Sequence, residues 1–249
     1  MQTGSSVARL WDTLVILALI RGASNPQGIA GFDQGSEVSM KVGSGGTASS
    51  LSAELVEAAM TEMMTMFDVK NIPQMNGNRH AAFTSIAHGF LASSDRFANS
   101  FLGGSGSLAK GVVPEILGFK IMKTNQIPQV EVDADTTFGA LQGGGGYGGD
   151  LSTIGTGSTA NPIVNPTFGG FGEKGAKNNY LVDASDVVGV AWDPKAVVTA
   201  FWRRPEAWET FGDAGLNNYL DSVSLGTRQT QGIAPVYHGG CGKFTLDAS

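Results

Sequence analysis

The stretch "VVPEILGFKIMKTNQIP" (residues 112–128) decides how this chain is read, because it sets four structural signals within seventeen residues. Pro114 predicts a first helical turn running through Leu117, since its fixed φ suits the first helical position. Gly118 ends that turn, and Phe119, Ile121 and Met122 begin a short strand that Pro128 stops. Such punctuation is architecture. None of these residues forms a constellation that could do chemistry, so the question becomes what kind of surface the turns shape.

Upstream, the most regular element is "SAELVEAAMTEMMTMFDVKNIP" (residues 52–73). Leu55, Ala59, Met63 and Phe67 fall on one helical stripe, Val56, Met60 and Met64 widen it, and Asn71 with Pro73 ends the helix. Met60, Met63, Met64 and Met66 crowd one short run, where methionine acts as adaptable core filler. Before it, "GSGGTASS" (residues 43–50) is a loop ending in serines suited to an N-cap, and "EVSMKV" (residues 37–42) alternates as a half-buried strand. After it, "NGNRHAAFTSIAHGFLAS" (residues 76–93) predicts a turn, a buried strand near His80 to Thr84, and a helix beginning at Ser85. At the start, Val7, Leu10, Leu14, Leu17 and Ile20 recur at three- and four-residue steps, predicting an amphipathic helix from Ser5 to Arg21. Asp12 abuts the apolar run from Thr13 to Ile20 and Arg21 closes it. Eight apolar residues are too short to span a bilayer and lack the charge order of a secretory signal.

Downstream, residues 139–178 form a Gly-, Ser-, Thr- and Asn-rich insertion with no helical or strand period. Then "VVGVAWD" and "AVVTAFW" are apolar runs joined by Asp193, Pro194 and Lys195, a hairpin signal. "RRPEAWETFGDAGLNNYL" (residues 203–220) reads as a polar connection with helical turns. "DSVSLGTRQTQGIAPVYHGGCGKFTL" (residues 221–246) reads as a long strand followed by a short one. The whole chain of 249 residues allows one large core or two entwined domains. It is 41% hydrophobic and 15% charged, which excludes general disorder, and its 36 glycines require many turns or long loops. A net charge of −6 with scattered Lys and Arg excludes broad nucleic-acid affinity. The single Cys241 excludes an intrachain disulfide framework.

Motifs that could carry chemistry fail on context. "GFGEKG" (Gly170, Gly172, Gly175) matches a dinucleotide fingerprint, but no strand precedes it and no helix pattern follows. "HGGCGKFT" (residues 238–245) has Gly242-Lys243, yet Tyr237 stands where a phosphate loop needs glycine and Thr245 comes one residue late. His238 and Cys241 have ligand spacing without further ligands, because His80 and His88 lie far upstream. "GGSGS" (residues 103–107) misses the nucleophile elbow at Ser107, and Asp133 and Asp135 have nothing near them to raise a pKa.

In order, these elements resemble the major capsid protein of tailed phages, the Hong Kong 97-like fold, and within it the short-tailed podophage branch. Three stretches carry the resemblance. "MTMFDVKNIPQMNGNRHAAFTSIAHGFLAS" (residues 64–93) is similar to the family's helix, "N-x-P" exit, strand and short helix. "PEILGFKIMKTNQIP" (residues 114–128) is similar to its helical turn, "G-F-x-(V/I)" and "N-x-(I/L)-P". The tail from Ala196 to Leu246 resembles its long peripheral strands returning to the axial domain. The resemblance implies an α+β fold: a spine helix, a peripheral domain of long strands, and an axial domain of mixed sheet flanked by helices. It implies that residues 1–47 hold the spine helix and a peripheral strand, and 48–190 the axial domain with insertion 139–178. Residues 191–235 would then be the long peripheral strands and 236–249 the return. On this reading the chain opens at the spine helix, without the N-terminal arm and extended loop that wrap neighbouring subunits in the family.

The implied function is a non-enzymatic shell subunit of a virion, assembled in the host bacterial cytoplasm into pentamers and hexamers around DNA. It needs no cofactor, metal or membrane, and scaffolding and portal proteins are its implied partners. A shell subunit binds its copies through many modest contacts, which suits a chain without a reactive pocket. Arg203, Arg204 and Glu206 are candidate inter-subunit ion pairs; Trp202 and Trp208, with Trp192, Phe201 and Tyr219, are candidate anchors or core residues. Three alternatives stand beside this: a nanocompartment shell of the same fold, a nucleotide-using enzyme built on "GFGEKG", and a Gly-rich secreted adhesin.

Overall fold

The computed structural model describes residues 2–24, 34–43, 50–73, 79–94, 115–128, 131–132, 182–211 and 223–247. Insertion 139–178, "GFGEKG", "GGSGS", Asp133, Asp135 and Tyr219 lie outside the described residues.

The first helix, α1 (Gln2–Ala23), exceeds its expected length at both ends. Its second half is buried on every side, with Leu17, Ala18, Leu19 and Ile20 at 1% exposure or less, broader than the single stripe the periodicity predicts. A helix apolar all round is one packed from several directions. Leu14 is half-buried; the side chains of Val7 and Leu10 lie outside the description. Among the described residues, no helix is long and apolar enough to cross a membrane.

Strand β1 (Ser36–Lys41) alternates as expected, with Ser36, Val38 and Met40 inward. Helix α2 (Ala53–Val69) buries Val56, Ala59, Met60, Met63 and Phe67, the expected stripe shifted slightly toward Val56. Burying a ring such as Phe67 contributes about 1.5–3 kcal/mol. Its N-cap is Ser52, whose hydroxyl accepts from Leu55 N at 3.3 Å, so the cap lies beyond the expected loop serines. At its other end Asn71 adopts a left-handed φ of 54° and Ile72 N donates to Phe67 O at 3.0 Å, which closes the helix before Pro73. Strand β2 (Arg79–Phe83) and helix α3 (Ser85–Ser93), capped by Thr84, follow within a residue of expectation.

The stretch at 112–128 departs from the reading in its first half. Instead of a helical turn, Glu115–Ile116 form strand β3, which folds back antiparallel on β4 (Phe119–Lys123). Ile116 faces Phe119 across a two-residue loop in which Leu117 and Gly118 both have positive φ, 49° and 79°. That is the turn whose twist matches a hairpin, and Gly118 supplies half of it without strain. Proline plus glycine was a turn signal either way; cross-strand pairing decided which turn.

Two short strands, β5 (Glu131–Val132) and β6 (Val182–Asp183), pair with one another. Strand β7 (Val187–Trp192) then leads through a corner at Asp193 into β8 (Val197–Phe211), which pairs with β9 (Val223–Pro235). The expected β7–β8 hairpin does not form: β7 pairs with β2 and β10, and β8 lies in a separate sheet. Asp193 makes the corner, its Oδ1 accepting from Lys195 N at 2.8 Å and its carbonyl from Ala196 N at 2.8 Å. The expected helical turns after residue 203 are likewise strand as far as Phe211. A 3₁₀ turn at His238–Gly240 leads into β10 (Cys241–Asp247), as the tail's reading implied.

These strands form a mixed six-stranded sheet in the order β1-β10-β7-β2-β4-β3 and a two-stranded β8–β9 ribbon. Strand β1, expected in a peripheral domain, runs parallel to β10 at the edge of the six-stranded sheet. Helices α2 and α3 cover one sheet face through Val38, Met40, Phe83, Phe119 and Phe244; α1 packs on the other through Ala82, Val187, Val190 and Cys241. A bulge in β7 places Val188 between the paired residues Val187 and Gly189. Beside it, Phe83 and Phe244 meet over Gly189, their ring centroids 4.9 Å apart.

Candidate subunit-contact surface

Clustered polar groups tie elements together at the exit of α2 and beside β10. Arg79, 1% exposed, sets its guanidinium beside the paired rings of Phe67 and Phe119, 5.8 and 5.7 Å from centroids that are themselves 5.5 Å apart. Its Nη2 donates to Asp68 Oδ1 at 2.6 Å and to the carbonyl of Ile72, tying β2 to the exit of α2. Lys70 Nζ reaches Gln34 O at 2.6 Å and Ser36 Oγ at 2.5 Å, tying the same helix end to β1; burial pulls its pKa down. The second place is a groove of about 350 Å³ beside β1 and β10, where Lys243 Nζ lies 3.1 Å from Glu37 Oε2. Asp183 lines it, held below the usual carboxylate range by the Ser185 hydroxyl and backbone N–H.

The motifs weighed for chemistry find these positions. "HGGCGKFT" is a 3₁₀ turn running into a buried strand, so its glycines do not open a helix N-terminus toward a phosphate. Cys241 is fully buried, and burial pushes its thiol up to about 12. His80 stacks on Trp192 in β7 and His88 lies buried on α3, each with its pKa lowered chiefly by burial. Among the described residues, no three His, Cys, Asp or Glu side chains are grouped to hold a metal ion.

Of the candidate contact residues, Trp202, Arg203, Arg204, Glu206 and Trp208 fall on β8. There the pairing slips twice, between Phe201 and Arg203 and again between Arg203 and Glu206, so five residue steps on β8 oppose three on β9. Trp202 lies in the first irregularity, Arg204 and Pro205 in the second. Bulges of this kind bend a ribbon and re-aim its side chains, and Pro205, lacking an N–H, suits one. The register sets Arg203 opposite Thr230, Glu206 opposite Arg228 and Trp208 opposite Gly226. Of the five, Glu206 is described at side-chain level and is exposed; the side chains of Trp202, Arg203, Arg204 and Trp208 lie outside the description. The paired bulges were missed by sequence reasoning, although a proline between two β-rich runs is their signal.

The base of the ribbon is anchored. Phe201 meets Trp11 of α1 edge to face at 4.9 Å, and Ile233, opposite Thr199, is 2% exposed. The other face of the ribbon carries Val198 opposite Ala234 and Ala200 opposite Gly232, with Val198 51% exposed. Among the described residues near its base, the ribbon is thus covered on one face and exposed on the other.

Across its whole length the chain superposes on the capsid of Cyanophage P-SCSP1u with a TM-score of 0.72 at 17% identity. This is a fold seen in phage capsids. The same fold superposes on the asymmetric unit of the bacteriophage PhiM1 mature capsid, with a TM-score of 0.65, 15% identity and all of this chain covered. It also superposes on a structure from Mycobacterium phage Che8, with a TM-score of 0.54, 14% identity and 97% covered. The chain spans 64% of the length of the first two and 60% of the third. No protein-family profile and no curated sequence matches it. The capsid fold gives β8–β9, α1 and the six-stranded sheet a common setting.

Proposed function

We propose that this chain is the shell subunit of a tailed-phage head, assembling into pentamers and hexamers around DNA and catalysing no reaction. The observation that carries the proposal is the superposition of the entire described fold on a phage capsid structure at a TM-score of 0.72. In the Hong Kong 97-like description, α1 is the spine helix and β8–β9 the peripheral ribbon. The six-stranded sheet with α2 and α3 is the axial body, which takes β1 from the peripheral part and receives β10 as the returning strand. The bulged segment from Trp202 to Glu206, with Trp208, is the contact surface of the ribbon. Buried Arg79 and half-buried Lys70 serve as ties between elements, which fits a tile that must keep its shape while neighbours press on it. A lightly charged acidic chain encloses DNA without reading it, because sequence-independent affinity needs clustered Lys and Arg. Scaffolding and portal proteins would assemble with it in the host cytoplasm before the virion is complete.

Electron microscopy of the full chain expressed in bacteria tests the proposal, alone and with a co-expressed scaffolding protein. Closed particles with five- and six-fold capsomers are expected. A folded chain that stays monomeric at high concentration under both conditions refutes it.

A further inference from the structure

We propose that the β3–β4 hairpin is an acid-sensitive edge of the six-stranded sheet, held at neutral pH and released more often once His80 and His88 take up protons. Among the described strands, β3 pairs only with β4, and β4 joins the rest of the sheet only through β2. That single seam is bracketed at both ends by a histidine beside a lysine. At one end the parallel register sets His80 directly opposite Lys120. At the other it sets Phe83 opposite Lys123, and His88 lies one turn into the helix that follows, its N–H donating to Thr84 O at 2.9 Å. Strand alternation puts the two lysines on opposite faces of the sheet. Lys120 shares the α1 side with His80 and Ala82, and Lys123 shares the α3 side with Phe119 and Ile121.

The surroundings of each histidine favour its neutral form. His88 is 7% exposed, and burial and Lys123 act on it together. Glu57 of α2 meets α3 nearly two turns further on, where it accepts from Ser94 Oγ at 2.5 Å. His80 stacks on Trp192 of β7 at 5.5 Å. The face of that indole and Asp193 at the corner favour the charged ring; burial and Lys120 oppose it and set the direction, downward from 6.5. Glu115 faces Lys120 from β3, inside the hairpin. Protonation therefore sets two cations beside two lysines at the ends of one seam, and each like-charge pair opposes the pairing. Opening uncovers Ile116, Phe119 and Ile121, which are buried in the core under α2 and α3, so the released form is a minor state that acid enlarges. Beyond Lys123 the chain is fastened. Thr124 N donates to Phe83 O at 2.9 Å, Asn125 meets Ser85, and Thr13 Oγ1 donates to Gln126 Oε1 at 3.2 Å. The hairpin thus opens on a tether and re-pairs when pH rises.

Hydrogen exchange of the full chain tests this, read by mass spectrometry at pH 7 and pH 5 and corrected for the intrinsic pH dependence of exchange. Peptides covering 115–123 should lose about tenfold in protection at pH 5, while those covering 187–192 and 241–247 lose less than about threefold. Lys120→Gln combined with Lys123→Gln, both exposed positions, removes the repulsion and should hold 115–123 within about threefold over the same range. His80→Gln combined with His88→Gln should do the same, and the lysine variant decides where the histidine variant does not fold. Protection of 115–123 that acid leaves unchanged overturns the proposal. So does a loss equal across all three segments, or one that persists in the lysine variant.

Discussion

Gly189 offers the sharpest test of how the sheet is packed. It lies on β7 with Phe244 of β10 directly opposite on one side and Phe83 of β2 opposite on the other, and both rings are fully buried. A Cβ at this position would stand 2.5 and 2.7 Å from Phe83 Cδ1 and Cε1 and 3.1 Å from Phe244 Cδ2. Carbon atoms pack at about 3.5–4.0 Å, so Gly189→Ala overlaps Phe83 by about 1 Å. Neither ring can swing out to solvent. Overpacking of this kind costs about 1–3 kcal/mol, offset by about 0.4–1 kcal/mol from the stiffer unfolded chain. At mid-range the net loss is therefore about 1.3 kcal/mol, or about 3–5 °C in Tm for a chain of this size. Guanidinium denaturation followed by tryptophan fluorescence measures it. Gly232→Ala is the control, because a Cβ there meets nothing within 4 Å, so only the stiffer unfolded chain should register, as a gain of about 0.4–1 kcal/mol. Phe83→Leu in the Gly189→Ala background should cost less than the two single changes summed, by more than about 0.5 kcal/mol. A Gly189→Ala protein as stable as the parent would refute the reasoning, since the rings would then be free to yield.

Three further outcomes follow from buried polar groups. Arg79→Met should destabilise by about 1–3 kcal/mol in the same assay, because Asp68 and the buried Ile72 carbonyl lose the Nη2 donor they share; an unchanged midpoint would show the tie to be incidental. His88, lowered from 6.5 by burial and by Lys123, binds fewer protons folded than unfolded between its depressed pKa and 6.5. His80 behaves likewise through burial and Lys120, partly offset by Asp193. Stability should thus fall as pH drops below about 6.5, levelling off under the depressed values, and His88→Gln should flatten denaturation midpoints measured from pH 7 to 5. Cys241, its thiol pushed up from 9.0 to about 12, should hold about a thousandfold less thiolate than a free cysteine at pH 8. Iodoacetamide should label it only as fast as the protein opens, and prompt stoichiometric labelling would contradict its burial.

What the sequence revealed divides by the range of the interactions involved. Helix α2 was legible almost residue by residue because its stripe is an intrinsic period and Asn71-Pro73 a local stop. Strands β1 and β2 and helix α3 were equally local. The hairpin at Leu117–Gly118 was misread because Pro114 and Gly118 suit a helical turn as well as a β-turn. The choice was made by β4, whose own place is set by β2 through the parallel pairs from Arg79–Phe119 to Phe83–Lys123. The corner at Asp193 was misread for the same reason. A short turn between two apolar runs is the ordinary grammar of a hairpin, but β7 already had neighbours on both sides, β2 upstream in the chain and β10 nearly fifty residues downstream.

The segment from Trp202 to Glu206 was legible as a distinct stretch and not in its form. Arg203, Arg204 and Glu206 were singled out as charges in an aromatic-rich segment, and the structure puts them where the ribbon loses register twice. Sequence could not show this, because a bulge is a mismatch between two strands and neither strand encodes it alone.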